Sequence, residues 1–278
     1  MKIYLFVGAA ILSGACGAKK AERLAVEVAQ ELIDSSQDAG VFAAEVIAAI
    51  KVADENATPD ENAAAFADEL NATFAGCGTI ATANAAAVTI DWSVSGAPCV
   101  LEAGEQGVAV SGVNNLNVAV ANNTVAFDLD GLLDLGRATV DAVTTITVDP
   151  QNASATIVRA ADLTLGEATL NALTNGVATF DNSGSGSNKV SFDYTRVVTK
   201  DNQERTQTWA GLIAQQGIRL PLEGSVALQE GDFSVAAALA NDAAANVTLS
   251  VTVTKKDQAT AFNFTVDTAT DLVSLLEE

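Results

Sequence analysis

Residues 246–253 read Asn246-Val247-Thr248-Leu249-Ser250-Val251-Thr252-Val253, with polar and apolar residues in strict alternation. A period of two places the four apolar side chains on one face of an extended strand and the polar ones on the other. The same pattern runs through Val88 to Val94, through Leu116, Val118 and Val120, and through Val125, Phe127 and Leu129. It returns in Val190, Phe192 and Tyr194, and again in Phe262, Phe264 and Val266. Turn-forming stretches separate these runs: Ser111-Gly112, Asn122-Asn123, Asp149-Pro150, Asn175-Gly176, 181–188, 200–203, Gly231-Asp232 and 255–257. Strands at roughly 8–12-residue spacing with short connections predict an antiparallel meander of about a dozen strands. Each strand has one apolar face, which the fold must cover. A single sheet of that size tends to curl, split or close. The expected fold is therefore mainly β with N-terminal α-helices, its meander curled into a barrel or half-barrel. The helices would cover one opening or face. A two-sheet sandwich is the alternative. The apolar end segment, Asp271 to Leu276, is expected to form a short closing helix.

Before residue 78 the period is helical. Leu24, Val28 and Leu32 form one stripe, and Phe42, Val46 and Ile50 form a second. A third helix begins at Thr58, a good N-cap, with Pro59 in the first helical position and Glu61 completing a capping box. Phe66, Leu70 and Phe74 are its stripe, and Gly76 is expected to end it. The predicted organisation is a leader over 1–15, a helical segment over 16–76 and an antiparallel β domain over 77–278.

The chain of 278 residues carries 14 Lys+Arg against 35 Asp+Glu and has no histidine. Without histidine it has no Ser-His-Asp or Cys-His nucleophile and no histidine-based zinc or haem site. Its formal charge of −21 argues against nucleic acid as a partner, because phosphate-backbone binding needs clustered Lys and Arg. Abundant Asp and Glu with few Lys resemble secreted proteins adapted to high salt.

Residues 1–16 read MKIYLFVGAAILSGAC. Lys2 precedes an apolar run, Ile3 to Leu12, too short to span a bilayer, and small residues lead to Cys16. This resembles a bacterial lipoprotein signal with its lipobox. It departs from the usual pattern in one place, since Ser13 stands where Leu is customary and Leu12 lies one residue further back. The resemblance implies lipidation of Cys16, palmitate-type acyl chains on the mature N-terminus, and export. Gly17 in place of Asp implies the outer membrane, on its periplasmic or surface side. An ordinary signal peptide cleaved near Ala15 is the alternative. Two or three acyl chains hold a protein firmly to one leaflet. In an oxidising compartment the remaining cysteines, Cys77 and Cys99, are expected to form a disulfide; two buried free thiols are the alternative. A membrane-spanning barrel is disfavoured by the scarcity of aromatics for two girdles.

No stretch carries strong catalytic chemistry, and neither an enzymatic activity nor a cofactor is expected. Asp128, Asp130 and Asp134 around Gly131 are a weak Ca²⁺ candidate. They fail the EF-hand register, because Arg137 occupies the position that needs Glu. A strand end running into a polar turn explains them as well. Ser183 to Ser187 lack a histidine base and read as a hairpin tip. Lys19 and Lys20 either touch anionic headgroups or solubilise a tether. Arg196, Lys200 and Arg205 cluster about one hairpin, offset by Asp193, Asp201 and Glu204. Two functions fit this chain. One is a non-enzymatic lipoprotein with a structural or interaction role. The other is a carrier or sensor of an apolar ligand, which needs an open apolar cavity between helices and sheet.

Overall fold

The computed structural model describes residues 15–93, 97–101, 108–136, 138–181, 189–200, 203–216, 218, 220–241, 247–267 and 272–276. Three helices come first: α1 (Ala15–Asp34), α2 (Ala39–Val52) and α3 (Pro59–Thr73). Fifteen strands follow among the described residues. They are β1 (Ala81–Asn84), β2 (Ala87–Asp91), β3 (Cys99–Leu101), β4 (Val108–Ala121), β5 (Thr124–Asp134) and β6 (Ala138–Asp149). Next are β7 (Ser154–Leu165), β8 (Ala168–Asp181), β9 (Lys189–Lys200), β10 (Gln203–Gln215) and β11 (Glu223–Glu230). The last are β12 (Phe233–Asn241), β13 (Val247–Lys255), β14 (Gln258–Asp267) and β15 (Leu272–Leu275).

The predicted capping box is formed at α3. The Glu61 amide donates to Thr58 Oγ1 at 3.2 Å, and the Thr58 amide donates to Glu61 Oε2 at 2.8 Å. The helix ends at Thr73, however, and Gly76 lies inside a 3-10 turn over Ala75–Cys77. The positive φ, 87°, belongs to Gly78. The second stripe understated α2, in which every residue from Ala39 to Ile50 is buried.

The strands pair in sequence order as one antiparallel sheet, with β3 pairing only with β4 beside β2. The sheet is open, and the chain does not form the sandwich alternative. Asn122-Asn123 and Lys256-Asp257 are tight turns with positive φ at both residues, the geometry that matches strand twist. Two of the expected turns are instead inside strands. Gly112 lies within β4 and Asn175-Gly176 within β8. These glycines serve close approach: a Cβ on Gly176 would fall against Tyr194, its partner on β9, and one on Gly112 against the Leu132 backbone. The end segment is a strand, not a closing helix. Four residues are too few for a stable helix, and the open ladder of β14 accepts them, with Phe264 opposite Leu275.

The helices cover the sheet in reverse order. The last strands, β13, β14 and β15, pack on α1; β6 to β10 pack on α2; β1, β2 and β4 pack on α3. The chain thus crosses the face once as helices and returns over them as strands. Helices and strands share one hydrophobic core, so the segment 16–76 does not stand apart from the β region. Adjacent residues of α1 reach strands well separated in the sheet. Gln30 Oε1 accepts from the Val273 amide of β15, and Glu31 Oε1 accepts from Gln207 Nε2 of β10. In a flat sheet those strands would lie roughly 24 Å apart. The sheet therefore bends around α1. A β-bulge in β10 between Trp209 and Leu212, with Gly211 at φ 58°, lies at the start of this bend.

Candidate functional site

The inner face of the sheet is mostly apolar, and five of its buried polar side chains share one register row. Thr144 of β6 faces Arg159 of β7, which faces Thr174 of β8, then Arg196 of β9 and Gln207 of β10. All five are buried. Two of the six arginines of a strongly acidic chain are thus placed in the core, and Arg205 adds a third just beyond the row. Buried cations require partners, and the α1–α2 region supplies them.

Arg159 Nη2 is bonded to Asp38 Oδ2 in the α1–α2 connection, and its guanidinium lies 4.5 Å from the centroid of the Phe42 ring. Burial works against the Arg159 cation, but Asp38 and the nearby Glu45 outweigh it and hold its pKa above the ordinary arginine value. Arg196 Nε donates to Thr174 Oγ1 at 3.1 Å, and its Nη1 donates to the Ser35 carbonyl at 2.8 Å. That carbonyl is near the end of α1, where cations are favoured by the helix dipole. Gln207 Nε2 and Arg205 Nη1 both donate to Glu31, at 2.6 and 2.5 Å. Arg205 also bridges to Glu27 and Glu230.

Glu45 of α2 is buried and accepts from Asn114 Nδ2 of β4 at 2.7 Å. Burial pushes its carboxyl up to about 7, against the opposing pull of Arg159 and the Asn114 bond. Gly131 on β5, opposite Asn114, provides the room: a Cβ there would come within 2.6 Å of Asn114 Cα. Tyr194 sits on the adjoining inner row, and burial raises its phenol pKa even though Arg196 pulls it down. Tyr194 and Arg159 border a cavity of about 20 Å³, and Asp38, Glu45 and Asn114 border another of about 10 Å³. Each is room for about one water. The arrangement exposes no nucleophile and no paired acid and base. It fastens the α1–α2 region to the middle of the sheet.

Cys77 and Cys99 form the expected disulfide, with a Cα–Cα distance of 5.2 Å, joining the turn after α3 to β3. Cys16 lies in the first turn of α1. The Ca²⁺ reading is corrected. Asp128, Asp130 and Asp134 lie on the outward face of β5, which continues through Gly131, so they line a strand and do not converge as loop ligands do. Asp128 accepts from Thr145 Oγ1, and Asp134 caps the Gly136 amide. Among the described residues no group of three His, Cys, Asp or Glu could hold a metal ion. The arginine cluster is corrected too: Arg196 and Arg205 point inward to α1 and its connection, not to Asp193, whose carboxylate caps the bulge at the Gly211 amide. The leader residues 1–14, Arg137, the stretch 183–187 and Asp201 lie outside the described residues.

The outward face is mostly polar, with exposed apolar side chains at Val113, Leu132, Val158 and Val177 and along one register row. Val143, Ala160, Leu173 and Val197 are register neighbours on β6 to β9, with Val143 57% and Leu173 47% exposed. Asp130, Asp141 and Asp162 border it.

The inward arginines were missed because no local motif marks them. Their signal was register: the alternation Val190, Phe192, Tyr194 continues to Arg196, and Ala155, Ile157 continues to Arg159. No family model matches the chain, and no curated protein or solved structure matches it either.

Proposed function

We propose that this chain is an exported, lipid-anchored, non-enzymatic bacterial lipoprotein with a structural or interaction role at the outer membrane. Cys16 is the lipidated residue in this reading, and the membrane is its first partner. The sheet is a half-barrel whose concave side is filled by the three helices. One observation carries the preference for a structural role over carriage of an apolar ligand. The centre of the helix–sheet interface is occupied by bonded charged side chains, with cavities of about 20 and 10 Å³ beside them. A lipid carrier needs an open apolar cavity of several hundred Å³ (about 300 or more). No helix among the described residues is long and apolar enough to cross a membrane.

Fractionation of cells expressing Cys16→Ala tests the anchor. The variant is expected in the soluble fraction without palmitate label; label retained by the variant overturns the reading. Native mass spectrometry of the unlipidated protein tests the structural role, and a co-purified lipid at stoichiometric occupancy would replace it with the carrier.

A further inference from the structure

Two segments far apart in the chain meet at the end of the molecule where α1 begins. The Nζ of Lys20 lies 5.1 Å from the centroid of the Phe233 ring. The Nζ of Lys255, the register partner of Phe233, lies 4.8 Å from the same centroid. The ring itself is buried, so it holds both lysine stems at one place. Lys19 and Arg23 are exposed on the same turns of α1, and Lys256 is exposed in the turn beside Lys255. Five cations thus gather at this pole, against Glu22, Asp232 and Asp257, while Glu27 and Glu230, the other register partner of Phe233, are bridged to Arg205. Elsewhere the balance is reversed, as the formal charge of −21 requires. Arg159, Arg196 and Arg205 are committed to the core network, and Lys51 pairs with Glu69. Cys16 lies one helical turn before Lys19 and Lys20.

We propose that this basic pole is a docking surface for anionic lipid headgroups and orients the protein on the leaflet that holds its anchor. The inference rests on the lipid-anchor reading. An acidic body is repelled by an anionic leaflet in most orientations, whereas this pole is attracted to it. A lysine near such a surface is worth about fivefold in affinity, within a screening length of about 8 Å at physiological salt. The tertiary fold is what makes the pole, since Lys255 and Lys256 are brought beside Lys19 and Lys20 only through Phe233.

The test uses the full protein purified from membranes and placed in phosphatidylcholine vesicles with or without phosphatidylglycerol. Amine acetylation is followed residue by residue by mass spectrometry. Lys19, Lys20, Lys255 and Lys256 are expected to label several-fold more slowly on the anionic vesicles. Lys189, which starts β9 at the opposite end of the strands, is the internal reference and should not change. Lys256→Glu, in an exposed turn, should weaken protection of Lys19 and Lys20, and Lys255→Glu with Lys256→Glu should remove it. Equal labelling on both lipids, or equal protection of Lys189, overturns the proposal. The mass of the N-terminal peptide reports the anchor separately. An unmodified Cys16 with lipid-dependent protection intact would overturn the anchor and uphold the pole.

Discussion

Arg159 of β7 and Asp38 of the α1–α2 connection form a buried ion pair between residues 121 apart in the chain. The pair holds the turn between α1 and α2 against the centre of the sheet, so its loss is felt by both layers. Asp38→Ala leaves the Arg159 cation without its bonded counter-ion. Breaking one partner of a buried pair typically costs about 3–5 kcal/mol. Chemical denaturation of the variant should show a loss in that range. A loss under about 1 kcal/mol, the value for exposed pairs, would mean the pair contributes as a surface bridge does.

Stability should fall as pH rises between about 4.5 and about 7. The folded Glu45 carboxyl titrates near 7, above its ordinary value of 4.5, because burial disfavours the charged form. Below 4.5 the carboxyl is protonated in both states and its stabilisation is fully present. As pH rises towards 7, the unfolded state releases the proton first, and the stabilisation is lost through the folded pKa. The total is on the order of 3 kcal/mol. Glu45→Gln keeps an acceptor for Asn114 and should flatten this part of the pH profile while stabilising the protein above pH 7. An unchanged profile in Glu45→Gln would assign the pH dependence to another group.

The Cys77–Cys99 bond closes a loop of 22 residues between the end of α3 and β3. The chain-entropy model values such a closure at about 3 kcal/mol. Denaturation midpoints with and without reductant should differ accordingly, and Cys77→Ala/Cys99→Ala should match the reduced protein. Non-reducing peptide mapping should recover the linked peptides.

Gly131→Ala and Gly176→Ala should each destabilise, although neither glycine has positive φ. The added methyl group at Gly131 would meet Asn114 and the Val113 carbonyl, and at Gly176 it would meet Tyr194 Cβ and the Asp193 carbonyl. Overpacking of this kind costs about 1–3 kcal/mol. Gly136→Ala is a useful contrast, because its Cβ would meet nothing within 4 Å and its φ of 79° supplies the only strain. Thermal melts should show that the two strand variants lose stability without any change of turn geometry.

These glycines also show why two strands were misread as turns. Asn175-Gly176 has a turn composition, and composition within a few residues is all that a local reading can weigh. What decides the case is Tyr194, which arrives from the neighbouring strand and needs the space. The Asp128–Asp134 stretch was ambiguous for the same reason: Gly131 reads as a turn until Asn114 is seen folded over it towards Glu45. The end segment became a strand because β14 left a ladder open to it, a fact of pairing and not of the segment's own apolar residues.

The sequence by itself determined the three helices, the alternating strands, their antiparallel order and the cysteine pair, because each depends on residues close in the chain or on simple counting. The capping box at Thr58 and Glu61 is the clearest case, with cause and effect three residues apart. Only the tertiary structure decided the path of the helices back across the sheet, the interior row through Arg159, Thr174 and Arg196, and the cationic pole around Phe233. Those features are set by register summed over many strands and by which strand each helix meets. A polar residue at an inward position does not itself say which distant group will answer it; the low-dielectric interior requires that one does, and the fold determines that for Arg159 it is the Asp38 carboxylate and for Arg196 the Ser35 carbonyl.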